Sequence, residues 1–277
     1  MKKVLIYRRG GLGDTLLTFP IADIFKRKGY EVHFSGNIDY LSLGKEVGFI
    51  DRISSDIPTN LRDFNEIILF AKENFLNLPR VKVVNPFPPK GKHVLIHYLE
   101  SLHFSAETFD RSLPIKPLSR WRENFIIHPG SGSKKKNAPL EFFKTIYQIL
   151  QAQGLKPLFV LGEAERGLQK ELKNFNTYLV EDLVLFARLL KGSKGFLGND
   201  SGFSHLAGYL GVPTFVLFGP TNPLEWKQMG YQVRVFYKNL ECSPCFPSDC
   251  FNPLQKVCLK FSPAKVAKSI FQTLKRV

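Results

Sequence analysis

No stretch of about 18 consecutive apolar residues occurs in the 277-residue chain, so the sequence predicts no membrane-spanning helix. The Gly-x-x-x-x-Gly-Lys-Ser/Thr phosphate loop is also missing, which removes that route to a nucleoside triphosphate. Gly11-Leu12-Gly13 is followed by Asp14, Thr15 and Leu16, without the third glycine of a dinucleotide fingerprint. No clear acidic residue follows about twenty positions on, so a nicotinamide cofactor is not expected. Basic residues are not arranged in a nucleic-acid module, and no nucleic-acid partner is expected. Cysteine is scarce. The four that exist, Cys242, Cys245, Cys250 and Cys258, lie together in a Pro-containing stretch. Three readings stay open for them: reduced thiols, a structural zinc site begun by Cys-x-x-Cys, or disulfides.

Acidic residues are outnumbered 24 to 39, and the net charge is +15, of which residues 121–277 carry +10. Such a surface favours acidic partners, from nucleotides to anionic lipid, without choosing among them. Apolar residues make up 44%, enough for a packed core, and the 25 phenylalanines read as core filling. The opening Met1-Lys2-Lys3-Val4-Leu5-Ile6-Tyr7-Arg8-Arg9 starts like a signal peptide. Its apolar part is too short and ends in two arginines. It reads as a first buried strand, and the expected location is the cytoplasm.

The length suits two domains of roughly 120–150 residues each. Short apolar runs alternate with helix-like ones, the pattern of α/β units with parallel sheets. In the first half, strands are expected at Val4–Tyr7, Glu31–Phe34, Glu66–Phe70, Val81–Val84 and Val94–Tyr98. A helix is expected over Leu16–Lys28, which Pro20 kinks or begins. Prolines and polar residues near Pro114–Arg122 interrupt the pattern, giving domains 1–119 and 120–277. The pattern then restarts with strands at Phe125–Ile127, Pro157–Leu161 and Thr177–Val180, and helices at Pro139–Gln153, Glu165–Asn174 and Asp182–Leu190. Ser262-Pro263 reads as an N-cap and first helical residue of a last helix, 263–275, expected to pack back toward the first domain.

The most informative segment is Gly195–Pro220, GFLGNDSGFSHLAGYLGVPTFVLFGP. It reads as strand, polar loop, small-residue helix, Gly-Val-Pro turn and second strand. Ser201 and Gly202 fall where the helix begins, and the bare N–H groups of a helix start hold an anion such as a diphosphate. His205 lies one turn further on, either near that anion or as an ordinary packed histidine. A second loop, His128-Pro129-Gly130-Ser131-Gly132-Ser133-Lys134-Lys135-Lys136, resembles an oxyanion cradle, against the plainer reading of a solvated lysine run. A third, Gly162-Glu163-Ala164-Glu165, suits sugar or ribose hydroxyls, or merely starts a helix. In the first turn, Arg9, Gly11 and Gly13 surround Asp14, which either caps a helix or serves as a general base on a hydroxyl. All these loops end predicted strands, so they can converge on one cleft between the domains.

In that order the motifs resemble glycosyltransferase family 9, the heptosyltransferases of lipopolysaccharide core synthesis. The resemblance rests on Arg9-Gly10-Gly11-Leu12-Gly13-Asp14, His128-Pro129-Gly130-Ser131-Gly132, Gly198–Ala207, Gly211–Thr214, Leu217–Thr221 and Cys242-Ser243-Pro244-Cys245. It implies a GT-B fold: two Rossmann-like domains whose parallel sheets face a central cleft, the acceptor mainly on the first and the nucleotide-sugar in the second. It further implies an inverting transfer from ADP-L-glycero-β-D-manno-heptose, without cofactor or essential metal. Asp14 matches the proposed general base, Lys136 the lysine on the donor phosphate, and Glu165 an acidic residue on the nucleotide side. Asp200, Ser201, Gly202 and His205 match the donor loop, with Ser131 and Gly132 beside it. An acidic lipopolysaccharide core or lipid A acceptor would bring peripheral contact with the cytoplasmic face of the inner membrane. The residues alone also suit a transfer from another nucleotide-sugar to another glycan, or a non-catalytic nucleotide-binding protein.

Overall fold

The computed structural model describes residues 1–105 and 109–275. The chain divides into two compact units, Met1–Pro114 and Ile115–Val277. The division falls a few residues ahead of 119/120 because the connecting segment is fastened to the second unit. Ile115 is buried, and the Leu118 N–H donates to the Arg188 carbonyl at 2.8 Å.

The first unit is a five-stranded parallel sheet with helices. In chain order it contains β1 (Lys3–Arg8), α1 (Leu12–Leu16), α2 (Phe19–Arg27), β2 (Glu31–Gly36), α3 (Ile38–Glu46), β3 (Arg52–Ser54), β4 (Glu66–Phe70), β5 (Val81–Val84) and α4 (Val94–Ser101). The sheet order is β3-β2-β1-β4-β5, with Val4 opposite Val32 on one side and Glu66 on the other. Val4, Leu5 and Ile6 are fully buried, as a central parallel strand covered on both faces requires. Strand order reverses between β1 and β4. The loop from Arg9 to Gly11 therefore leaves the sheet at its topological switch point, where such folds bind ligands.

Pro20 marks a helix start rather than a kink. It occupies the first turn of α2, where its missing N–H has no helical acceptor in any case. Val94–Tyr98 is a helix, not the strand that its apolar character suggested. A run that short does not reveal its period, and three local bonds decide the outcome: the His93 ring accepts the Leu95 N–H, the His97 N–H reaches the His93 carbonyl, and the Tyr98 hydroxyl donates to the Pro86 carbonyl.

The second unit contains β6 (Asn124–His128), α5 (Leu140–Ala152), β7 (Lys156–Leu161), β8 (Thr177–Leu179), α6 (Leu183–Lys191), β9 (Gly195–Asn199), α7 (Gly202–Tyr209), β10 (Thr214–Leu217), α8 (Pro223–Trp226), β11 (Val233–Phe236) and α9 (Pro263–Leu274). The sheet is parallel throughout, in the order β11-β10-β9-β6-β7-β8, and reverses between β6 and β9. One core cluster joins Phe125, Phe159, Leu161 and Phe215 of the strands to Phe143, Ile146 and Leu150 of α5 and to Val266 and Ile270 of α9. Tyr147 stacks on Phe159 at 5.2 Å, and Phe175 meets both rings edge-on.

The last helix, capped by Ser262, packs Val266, Ala267 and Ile270 with α5 into the core of its own unit. One expectation changes here. Glu165–Asn174 does not form an α-helix. Glu163–Gln169 is a 3-10 stretch, and between it and Asn174 only Leu172 is buried. Among the described residues, no helix is long and apolar enough to cross a membrane.

Candidate active site

The loops that follow β6, β7, β9 and β10 sit side by side, because those four strands are consecutive in the sheet. What holds the loops together is Asn199, the fully buried last residue of β9. Its side-chain Oδ1 accepts the Ala138 N–H at 2.9 Å, while its Nδ2 donates to the Pro129 and Gly130 carbonyls at 2.8 and 3.2 Å. A buried strand end with no room for water must satisfy such groups internally. Asn199 does so for both ends of the Pro129–Ala138 loop. Sequence reasoning quoted Asn199 without giving it a task. A polar residue at the end of an otherwise apolar strand was the available signal.

Asp200, next along, is the electrostatic centre. Its side chain is 6% exposed, and Oδ2 accepts from Lys136 Nζ at 3.3 Å and from the Thr221 hydroxyl at 2.9 Å. Oδ1 accepts from Gln228 Nε2 at 3.3 Å, and His205 Nε2 lies 4.0 Å from the same oxygen. Its own N–H donates to the Leu217 carbonyl. Loops after β6, β9 and β10 thus meet on one carboxylate. Thr221 and Gln228 were not singled out in the sequence. They lie 21 and 28 residues from Asp200, and nothing local announces them.

The lysine run resolves into separate tasks. Lys134–Lys136 is a single 3-10 turn. Lys136 turns inward to Asp200, with Phe246 5.7 Å away beneath its ammonium. Lys135 turns the other way, pairing with Asp249 at 2.8 Å and donating to the Pro247 carbonyl. Lys256 reaches back to the Lys134 carbonyl. The stretch containing the cysteines is therefore fastened to the lysine turn.

Ser201 caps α7, accepting the Ser204 N–H, and the Ser204 hydroxyl bonds to the Asn199 carbonyl. With one proton per hydroxyl, Ser201 Oγ donates to Ser204 Oγ at 3.2 Å. The serine side chain is occupied within the turn. What the turn offers a ligand is the helix-start N–H groups of Ser201 and Gly202, which lack intrahelical acceptors. Ser131 is likewise turned inward, its hydroxyl between the Ser133 carbonyl and Asn137 Oδ1. Gly132 lies in open space.

Glu165 is buried and accepts the Gly162 N–H at 3.1 Å. Its carboxylate lies directly against Gly130. A Cβ there would fall 2.1 Å from Oε1, so only glycine lets the two loops approach. Behind them His128 Nδ1 lies 2.9 Å from the Val160 carbonyl and its ring packs on Phe203. Burial pushes the His128 pKa down, opposed by the Glu165 charge and the Val160 bond, which leaves a neutral ring donating Nδ1–H to Val160.

In the first unit, Asp14 caps its helix and also holds a cation. Oδ2 accepts the Gly11 N–H at 2.9 Å, capping α1, and Oδ1 pairs with Arg8 Nη2 at 2.8 Å. What comes close to the glycines is Asp14 itself: a Cβ on Gly10 would lie 2.8 Å from Asp14 Cβ. Gly13 is an ordinary residue of α1, and Arg9 turns outward to pair with exposed Asp56. Buried Tyr98 feels both charges. Burial drives its hydroxyl pKa upward, with Arg8 opposing and Asp14 reinforcing.

All four cysteines are free thiols. Burial, then the neighbouring Cys250 and Cys242 sulfurs, push Cys245 up, while N–H donors from Lys256 and Asn252 hold Cys250 down. Among the described residues, no group of three or more His, Cys, Asp or Glu side chains is arranged to hold a metal ion.

Two parallel α/β units each carry a cation-carboxylate pair at the carboxyl edge of the sheet. The model of glycosyltransferase family 9 (heptosyltransferase) matches residues 89–255, more than half of the chain, and the chain belongs to that family. It is 26% identical over 273 residues to lipooligosaccharide heptosyltransferase 2 of Campylobacter jejuni subsp. jejuni serotype O:2, covering 85% of this chain and 78% of that one. A 68-residue stretch is 38% identical to lipopolysaccharide heptosyltransferase 1 of Pseudomonas aeruginosa, spanning 24% of this chain and 19% of that protein. The structure of Escherichia coli ADP-heptose lps heptosyltransferase II superposes with a TM-score of 0.78 at 14% identity, over 100% of this chain and 99% of that one. The expected GT-B class of fold is therefore the one observed.

Proposed function

We propose that this glycosyltransferase moves a heptose from ADP-L-glycero-β-D-manno-heptose to a lipopolysaccharide inner-core acceptor, with inversion at the anomeric carbon. The observation that carries the reading is the Lys136–Asp200 pair beside the N-terminus of α7, at the carboxyl edge of a parallel sheet. A diphosphate meets there an ammonium and bare N–H groups, without reorganising the loops that Asn199 fastens. The names of the relatives supply the sugar and the acceptor class.

In this mechanism Asp14 accepts the proton of the acceptor hydroxyl as the oxygen attacks the anomeric carbon opposite the diphosphate. Negative charge gathers on the departing ADP. Lys136 and the Ser201 and Gly202 N–H groups offset it where it develops, which lowers the barrier. Glu165 lies on the nucleotide side, where a carboxylate suits ribose hydroxyls. His205 steadies Asp200. The reaction so written uses no cofactor and no metal.

The protein works in the cytoplasm under this reading, in peripheral contact with the inner membrane. Its +15 charge supports attraction to an anionic leaflet and to a phosphorylated acceptor. Binding to anionic vesicles should weaken as salt rises, and salt-independent binding would count against the contact. The direct test of the reaction is mass spectrometry of purified protein with ADP-heptose and a Kdo–lipid A acceptor. The acceptor should gain one heptose residue as ADP appears, and no transfer, or equal transfer from UDP- and GDP-sugars, would overturn the assignment.

A further inference from the structure

We infer that Arg8 is a positioning residue: it acts on the reaction through Asp14, by fixing the direction in which that carboxylate presents its free lone pairs. This rests on the proposed role of Asp14 as base.

Arg8 ends β1 and its side chain is 8% exposed. A strand buried on both faces ordinarily ends in an apolar residue, and a buried guanidinium is costly unless its donors are used. Here they are used sparingly. Nη2 donates to Asp14 Oδ1, while Nε is buried and has no hydrogen-bond partner among the described residues. A guanidinium retained for stability would be expected to engage its planar fork on both sides. This one holds a single carboxylate oxygen.

The other oxygen of Asp14 is held by the Gly11 N–H. One bond comes from the buried side chain that ends the strand and one from the main chain of the turn, so both carboxylate oxygens are held. A third of the Asp14 side-chain surface, 34%, remains open. From α4, Tyr98 senses both charges, but its hydroxyl is committed to the Pro86 carbonyl and does not compete for Asp14. Arg9, the neighbouring cation, is engaged with Asp56. The arrangement leaves Asp14 aimed and still accessible, which a base needs at the moment of transfer. Misplacement of about 1 Å costs on the order of 100-fold in rate.

The test measures steady-state transfer and ADP binding for Arg8→Ala, Arg8→Lys and Asp14→Asn. Arg8→Ala should lower kcat by about 10- to 100-fold, with donor KM and ADP affinity unchanged, since the donor loops lie in the other unit. Arg8→Lys should recover part of kcat, and millimolar methylguanidinium should restore Arg8→Ala but not Asp14→Asn. Wild-type kcat in Arg8→Ala overturns the inference. So does a loss that neither Lys nor methylguanidinium repairs and that donor KM follows in parallel, which is the signature of a merely structural role. If Arg8→Ala does not fold, Arg8→Gln, which keeps length and polarity, is read in the same way. Normal turnover in Asp14→Asn defeats the base assignment itself. An inactive Asp14→Asn beside an undisturbed Arg8→Ala defeats only the inference about Arg8.

Discussion

Each unit places one cation-carboxylate pair at the switch point of a parallel sheet, and the two pairs are built differently. In the first, Asp14 is 34% exposed and answers to one cation and one N–H. In the second, Asp200 is 6% exposed and gathers Lys136, Thr221, Gln228 and, at longer range, His205. The same chemical pair serves opposite ends. A carboxylate with lone pairs left over and an open side can reach a substrate. One whose oxygens are both engaged by several donors and buried serves another end. It organises the loops around it and keeps an ammonium in waiting for an anion.

The sharpest way to break this contrast is Asp14→Asn. Loss of a general base should lower turnover by about 10²–10⁴-fold while ADP affinity, measured by calorimetry, stays put. Near-normal turnover would leave the two carboxylates without distinct roles. Next in size, Asp200→Ala should destabilise the protein by about 3–5 kcal/mol in urea unfolding, because it strands Lys136 in a buried site. Asp14→Ala removes a helix-cap bond and also strands Arg8, whose side chain is 8% exposed, so its cost should fall in the same range. A cost near zero for either variant would mean that the carboxylate does not hold its cation in place. Asn199→Ala leaves the Ala138 N–H and the Pro129 and Gly130 carbonyls without the partner they now have. An expected loss on the order of 1–3 kcal/mol per stranded group should be accompanied by weaker ADP binding. A variant that melts early but binds ADP normally would separate the fastening of the loops from the donor site.

The smallest effect is one of pH. His128 titrates below its ordinary value of 6.5 because it is buried. The unfolded chain therefore binds its proton first as pH falls, and folded stability drops from about pH 6.5 downward. The urea midpoint should fall between pH 7 and pH 5, and His128→Gln should fall less steeply. An identical slope would mean that His128 takes up its proton as readily in the folded chain as in the unfolded one.

Much of the architecture is legible in the sequence because buried parallel strands write themselves as short Val/Ile/Leu/Phe runs, and because Gly, Asn, Asp and Ser punctuate their ends. Asp14, Lys136, Asp200 and Ser201 stand at such ends. What the sequence conceals is of two kinds. Short elements lack enough residues to show a period. Hence Val94–Tyr98 resembles a strand, while α3, β3 and β11 pass unnoticed although Asn37 caps α3 through the Tyr40 N–H. The second kind is long-range pairing. No local pattern says that Gln228 and Thr221 will meet Asp200, that Ser131 will turn inward to Asn137, or that three adjacent lysines will part company. Such facts come from which strands neighbour one another, and that order is settled by the whole sheet.

Asn199 touches only main-chain atoms of the loop it secures. The frame therefore tolerates change where a side chain makes no bond of its own, as at Gly132, and not at Lys136, which belongs to the grip itself.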